Sequence, residues 1–346
     1  PPLYPRLVAH FQSLDKPFNG ALFRQGHLSE QVRVSDEFLV DFITDLSSED
    51  SPYLFSTLPV EILGSVYERF ISKVVHVTSG GKVGVEPKPE VRKAGGIYYT
   101  PRYIVNYIVE HTVGKLLEGK TPKEAAKLKI LDPACGSGSF LLRTFERICE
   151  HYLKWFRENP KDQREEVCYR DAEGNLRLTT HLKRQVLLDN LFGVDLDQQA
   201  VEVTMLSLYL KILEGETRST LGRQRQLFPK ESFLPDLKNN IRLGNSLIES
   251  DYFDFFSDGN ERLLIKPFDW KVEFRDFMTA GGFDAVIGNP PYYNVDTLGK
   301  KSPQMAYLQR RYHEVWNDKT DILNYFLYRA ITLSRNRVGM IVSRAF

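Results

Sequence analysis

The chain has 346 residues, 42% of them hydrophobic and 26% charged, with 46 Lys+Arg against 45 Asp+Glu. At about 150 residues per domain that is two domains or one large one with a sizeable core, so a largely disordered chain is excluded. The net charge of +1 excludes a histone-like polycation and leaves room for local basic patches. Three scattered cysteines, Cys135, Cys149 and Cys168, form neither a disulfide framework nor a zinc knuckle, which fits a reducing compartment. No apolar run reaches the length of a membrane span, and the first residues carry no signal-peptide pattern.

In chain order, residues 1 to 80 read as mostly helical. Ser35-Asp36-Glu37 looks like a helix start, followed by Leu39, Phe42, Ile43 and Leu46 at helical spacing. A second helix is expected from Pro59 to Val75, and then a loop from Thr78 to Gly96, rich in Gly, Pro and Lys. Thr100 is placed to cap a helix running from Arg102 to Leu117, with Pro101 at its first position. Beyond it the pattern becomes five short apolar runs: Lys129–Asp132, Leu191–Asp195, Asn240–Leu243, Phe283–Gly288 and Val338–Val342. Helical stretches such as Ser139–Phe156 and Gln198–Glu214 separate most of them, which predicts a parallel sheet with helices on both faces. Residues 157–190 read as an insertion with a hairpin at Glu173-Gly174-Asn175, and Thr217 to Lys238 as a loop.

Four segments carry chemistry. Asp132-Pro133-Ala134-Cys135-Gly136-Ser137-Gly138 follows the first strand and opens a helix, the position where α/β sheets bind cofactors. Its glycines let backbone approach a ligand, and the missing third glycine of the dinucleotide fingerprint argues against a diphosphate. Asp195 ends the second strand, where a carboxylate accepts from two ribose hydroxyls, while Asp197 suits the cap of the next helix. Gly288-Asn289-Pro290-Pro291-Tyr292 follows the fourth strand. There the prolines stiffen the loop, and the Asn289 amide oxygen and the Pro290 carbonyl offer two acceptors. Such a pair suits a planar amino group on a base or an amide, with Tyr292 stacked on its plane. Gly95-Gly96-Ile97-Tyr98-Tyr99-Thr100-Pro101 precedes a helix whose N-terminus suits a ligand carboxylate.

Taken together, these segments resemble the S-adenosylmethionine-dependent adenine-N6 DNA methyltransferases. The closest likeness is to the methylase part of single-chain restriction-modification and phage-defence enzymes. The resemblance runs from about residue 58, through Leu63-Gly64-Ser65-Val66-Tyr67-Glu68, to the end. It implies a class I methyltransferase fold: a Rossmann-like doubly wound sheet, incomplete at the C-terminus, behind an N-terminal helical region and linker at 1–95. The catalytic domain would fill 96–346, without its last strands and its target-recognition domain.

The same resemblance implies site roles. Tyr99 and Thr100 would lie against the methionine moiety, Asp132 would hold its ammonium, and Ala134, Cys135, Gly136 and Gly138 would form the cofactor loop. Asp195 would bind the ribose hydroxyls, Leu196 the adenine ring and Asn245 the adenine amino group, with Pro291 completing the pocket. Asn289, Pro290 and Tyr292 would be catalytic, and Asp321 would support them. The target adenine would be flipped out of double-stranded DNA. Basic segments at Arg218–Arg225, Lys300-Lys301 with Arg310-Arg311, and Lys88–Lys93 fit phosphate contacts. A nuclease domain or subunit would lie outside this chain, since Glu86-Pro87-Lys88 reads as linker. The compartment implied is the prokaryotic cytoplasm, with no metal and no membrane partner. Rival readings are a methyltransferase acting on RNA bases or on a protein glutamine, which tends to lack the Tyr-Tyr-Thr-Pro lead-in, and a non-catalytic DNA-binding scaffold. Ser in place of Asn289 would have pointed to cytosine-N4.

Overall fold

In the computed structural model the described residues are 2–18, 34–48, 60, 62, 73–77, 81, 83–87, 100–256, 262–299, 302–316 and 321–342. Near the N-terminus are α1 (Leu3–Phe18) and α2 (Asp36–Ser47), and Ser35 caps α2 as its sequence predicts, accepting from the Phe38 N–H. Then comes a hairpin of β1 (Lys73–Val77) and β2 (Val83–Pro87). The hairpin corrects two expectations. The helix expected to end at Val75 gives way to a strand by Lys73, and the expected loop contains β2. Both strands are rich in valine, which suits a pleated strand better than a helix. Leu63–Glu68, Lys88–Lys93 and Gly95–Tyr99 lie outside the described residues, as does the Lys300-Lys301 pair.

The helix expected from Arg102 is present as α3 (Arg102–Val109), continuing through a π turn (Glu110–Gly114) into Lys115–Leu117. The elements that follow are β3 (Ile130–Asp132), α4 (Ser139–Glu158), the hairpin of β4 (Cys168–Arg170) and β5 (Leu176–Leu178), α5 (Thr180–Asn190), β6 (Leu191–Asp195) and α6 (Gln198–Leu213). Next are α7 (Arg218–Leu227), β7 (Ile241–Leu243), β8 (Phe283–Gly288), α8 (Pro303–Arg311), α9 (Ile322–Leu333) and β9 (Ser334–Met340).

Five of the strands form one parallel sheet in the order β7-β6-β3-β8-β9. Successive residues of a strand point to opposite faces. Ile130, Leu191, Ala285 and Ile287 pack on one face with α3, α4, α5 and α6. Leu131, Phe192, Val194 and Val286 pack on the other, with Trp270, Phe274, Ala330 and Leu333. Every residue of β8 is buried, as a strand covered on both faces requires. Ile130→Ala would open a cavity here at a cost of about 2–5 kcal/mol.

Two further differences have physical reasons. The expected loop from Thr217 contains α7, which is started by a capping box between Thr217 and Thr220. Its one buried residue, Gln224, accepts from the Thr180 N–H and hydroxyl at 2.6 and 2.8 Å, so a polar contact holds a helix with no apolar stripe. The fifth strand begins at Ser334, earlier than its apolar run. Its polar front half is held by ladder bonds to β8 and by Arg335 on Asp284 at 2.8 Å.

Candidate active site

Strand order reverses at β3: β6 and β7 lie on one side of it, β8 and β9 on the other. In such sheets ligands bind beyond the carboxyl ends of the strands at that reversal. A cavity of about 490 Å³ lies there, lined by residues that follow β3, β6, β7 and β8, and by Thr100. That volume is within the range of small-molecule sites.

Asp132 is the last residue of β3 and only 1% exposed. Its Oδ1 accepts from the Ala134 N–H at 3.1 Å, which starts the turn. The turn is then pinned from α6 and β6. Thr204 Oγ1 donates to the Gly136 carbonyl at 2.8 Å, and the Cys135 N–H donates to the Val194 carbonyl at 3.1 Å. Gly138 has φ 84°, and a Cβ there would lie 2.9 Å from Thr204. The glycine is therefore required twice, by conformation and by space.

Asp195 ends β6 with Oδ2 accepting from the Gly136 N–H at 2.8 Å and Oδ1 from the Asp197 N–H at 2.9 Å. Asp197 caps α6, as its sequence predicts. Leu196, 47% exposed, lines the cavity beside it. Burial pushes Asp132 up to about 8, with the charge of Asp195 adding to the shift. Burial also raises Asp195, against the N–H groups that it accepts from. A site that strains two carboxyls toward neutrality is prepared for a cation or for hydrogen-bond donors.

The turn after β7 carries Asn245, whose oxygen accepts from the Leu247 and Ile248 N–H groups at 3.1 and 3.2 Å. That oxygen thus holds its own turn, while Asn245 still lines the cavity.

Asn289 follows β8, and its Nδ2 donates to Thr100 Oγ1 at 2.9 Å. The Tyr292 hydroxyl donates to Asn289 Oδ1 and, at 3.4 Å, to the Ile341 carbonyl. Burial holds the Tyr292 phenol up at about 12, so it stays a donor. A Cβ on Gly288 would sit 2.6 Å from Asp132 Oδ1, so only glycine lets the β8 and β3 ends meet. Asp321 caps α9 and forms an isolated bridge to Asn294, and the Ile322 N–H donates to the Tyr293 carbonyl at 2.9 Å. These contacts tie the loop after β8 to α9.

The structure brings Thr100, Asp132, Ala134, Cys135, Gly136, Asp195, Leu196, Asn245, Asn289, Pro290, Pro291 and Tyr292 around one cavity. Gly138 lies behind it against α6, and Tyr99 is outside the described residues. One expectation is corrected: Pro101 stands at the cap of α3, and the Thr100 hydroxyl makes no capping bond but faces Asn289. Sequence reasoning missed Ile265, Tyr293 and Phe326, which also line the cavity, and Thr204. Only Tyr293 had a signal, its place beside the Asn-Pro-Pro-Tyr run. Among the described residues no group of His, Cys, Asp or Glu is placed to hold a metal ion, and no helix is long and apolar enough to cross a membrane.

Two family profiles match: N-6 DNA Methylase over residues 60–224 and Eco57I restriction-modification methylase over residues 189–346. Together the two profiles span residues 60–346, each matching just under half of the chain. It is 30% identical over 331 residues to the type II restriction enzyme and methyltransferase RM.Eco57I of Escherichia coli, covering 94% of this chain and 31% of that one. It is 25% identical over 228 residues to the adenine-specific methyltransferase BrxX of Escherichia coli O9:H4, covering 57% and 16%. The chain thus spans less than a third of the length of these relatives. The solved structure of the type IIL restriction-modification enzyme MmeI in complex with DNA superposes with a TM-score of 0.53 at 16% identity, covering 96% of this chain and 40% of that one. At that identity the likeness is one of fold.

Proposed function

We propose that the cavity binds S-adenosylmethionine and that the protein methylates N6 of an adenine flipped out of double-stranded DNA, as part of a restriction-modification or phage-defence system. The sheet is then that of a class I methyltransferase, with residues 1–95 as a lead-in that holds α1, α2 and the β1–β2 hairpin. The observation that carries the reading is the meeting of β3 and β8. The buried Asp132 carboxyl and the Asn289-Pro290 acceptors open onto the same cavity.

The residues present fit the cofactor. Asp132 offers a carboxylate to an ammonium, and its charge is restored once that cation arrives. Asp195 has lone pairs left for two hydroxyls beside those given to Gly136 and Asp197. Leu196 and Ile265 supply apolar surface to a purine. Asn245, with its oxygen engaged in its own turn, shapes that subsite through the loop it folds. When bound, the cofactor supplies an electrophilic methyl group on a sulfonium.

The chain's own work is positioning. The Asn289 oxygen and the Pro290 carbonyl accept from the two N6 hydrogens, which draws the nitrogen lone pair out of the ring and toward the methyl. The Tyr292 ring stacks on the base, once its hydroxyl has yielded Asn289 Oδ1 to the incoming amino group. No base is needed before transfer, because the amino group gives its proton to water only after the new N–C bond has formed and the methyl–sulfur bond has broken. Calorimetric titration of the purified protein with S-adenosylmethionine tests the reading. It predicts saturable one-to-one binding, and a heat trace without binding would remove the cofactor assignment.

A further inference from the structure

Resting on that reading, we propose that Thr100 is the positioning residue that fixes which end of the Asn289 amide faces the target base.

An asparagine side chain presents two ends of nearly equal shape and opposite polarity. Its terminal torsion is broad and roughly two-fold, so rotation by half a turn exchanges them. Only the oxygen end receives an amino group; the NH2 end would set donor against donor. Within the Asn-Pro-Pro-Tyr run only the Tyr292 hydroxyl biases this choice, and a base that takes Oδ1 displaces it. The prolines stiffen the backbone and leave the side-chain torsion free.

The structure supplies the constraint from a distant segment. Thr100 lies 189 residues away in sequence, is 8% exposed, and accepts from Asn289 Nδ2 at 2.9 Å. Its place is set by Pro101 at the cap of α3, whose Val105 and Val109 are anchored in the core against the sheet. That contact turns Oδ1 away from Thr100, toward the Tyr292 hydroxyl. While the site is at rest, both ends of the amide are therefore engaged. When a base displaces the Tyr292 hydroxyl, the Thr100 contact is the one that remains. It then holds the amide plane and leaves Oδ1 for the amino group. Thr100 gives up the usual helix-capping role for this contact, although a threonine before a proline is well suited to capping.

The test uses the full-length natural protein, unmethylated phage DNA and tritium-labelled S-adenosylmethionine. Thr100→Val keeps the shape and loses the hydroxyl; Thr100→Ser keeps the hydroxyl. Losing one neutral hydrogen bond and leaving Nδ2 unpaired is expected to lower kcat about tenfold at saturating cofactor. Thr100→Ser is expected to restore kcat to within about twofold. A Thr100→Val kcat within about twofold of wild type at saturating cofactor overturns the proposal, whatever happens to cofactor affinity. So does a failure of Thr100→Ser to recover activity while its melting temperature matches wild type. If Thr100→Val melts early, Thr100→Ala against Thr100→Ser makes the same comparison. A wild-type protein that methylates no DNA fails at the earlier reading, separately from these outcomes.

Discussion

Replacing Asp132 by Asn will raise the stability of the ligand-free protein and lower its affinity for the cofactor. In the unfolded chain this carboxyl ionises near 3.8, and in the folded protein burial moves it up to about 8. Between those values the folded state keeps a proton that the unfolded state has released. Stability therefore falls as pH rises, by up to about 1.4 kcal/mol per pH unit from this group, and the loss is complete only above the folded value. Asn does not titrate, so the variant escapes the slope. Other titrating groups cancel in the comparison, apart from Asp195, whose charge acts on Asp132. Chemical denaturation without cofactor, at about pH 5 and about pH 8, reads the effect. The stability difference is expected to move in favour of the variant by a few kcal/mol between the two. With cofactor the order reverses, because truncating one partner of a buried charge pair costs about 2–5 kcal/mol of binding. Wild type will also release up to about one proton on binding near neutral pH, visible as heats that differ between buffers of different ionisation enthalpy. A stability difference that does not change with pH would refute the reasoning, as would cofactor affinity unaltered in the variant.

Two more perturbations follow from the geometry. Tyr292→Phe keeps the stacking ring and removes the hydroxyl that occupies Asn289 Oδ1, so methylation is expected to persist or rise, whereas Tyr292→Ala is expected to lose at least tenfold in kcat/KM for DNA. Equal losses in both would put the role of Tyr292 in its hydroxyl instead. Gly138→Ala forces φ 84° on an alanine and sets its Cβ 2.9 Å from Thr204, for a cost of about 1–3 kcal/mol. A melting temperature equal to wild type would show that the loop has room to spare.

Much of this fold was legible because its signals are local. The three central strands β3, β6 and β8 stand out as apolar runs since both faces of the sheet are covered there, which removes the alternation of a half-exposed strand. The turns after β3, β6 and β8 were legible as candidate sites because each places an acid or amide at a strand end, and the structure sets all three around one cavity. What was not legible depends on long-range or polar contacts. The α7 helix has no apolar stripe, and its anchor Gln224 reaches Thr180, 44 residues earlier. The front half of β9 is polar, and pairing to β8 decides it. Thr100 shows the limit most sharply: its neighbours predict a helix cap, and its partner is Asn289 across the sheet. Asn245 was expected to offer its oxygen to a ligand, a role its type allows, and the folded turn already uses that oxygen.

The central claim is tested most directly by the position of a transferred methyl group. Full-length protein is incubated with unmethylated DNA and labelled S-adenosylmethionine, and the digested nucleosides are separated. The account predicts label in N6-methyladenine with wild type and its loss with Asn289→Ala, while Asn289→Ala still binds the cofactor. Label in cytosine, in RNA or in protein instead of DNA adenine would contradict it, as would N6-methyladenine formed equally well by Asn289→Ala.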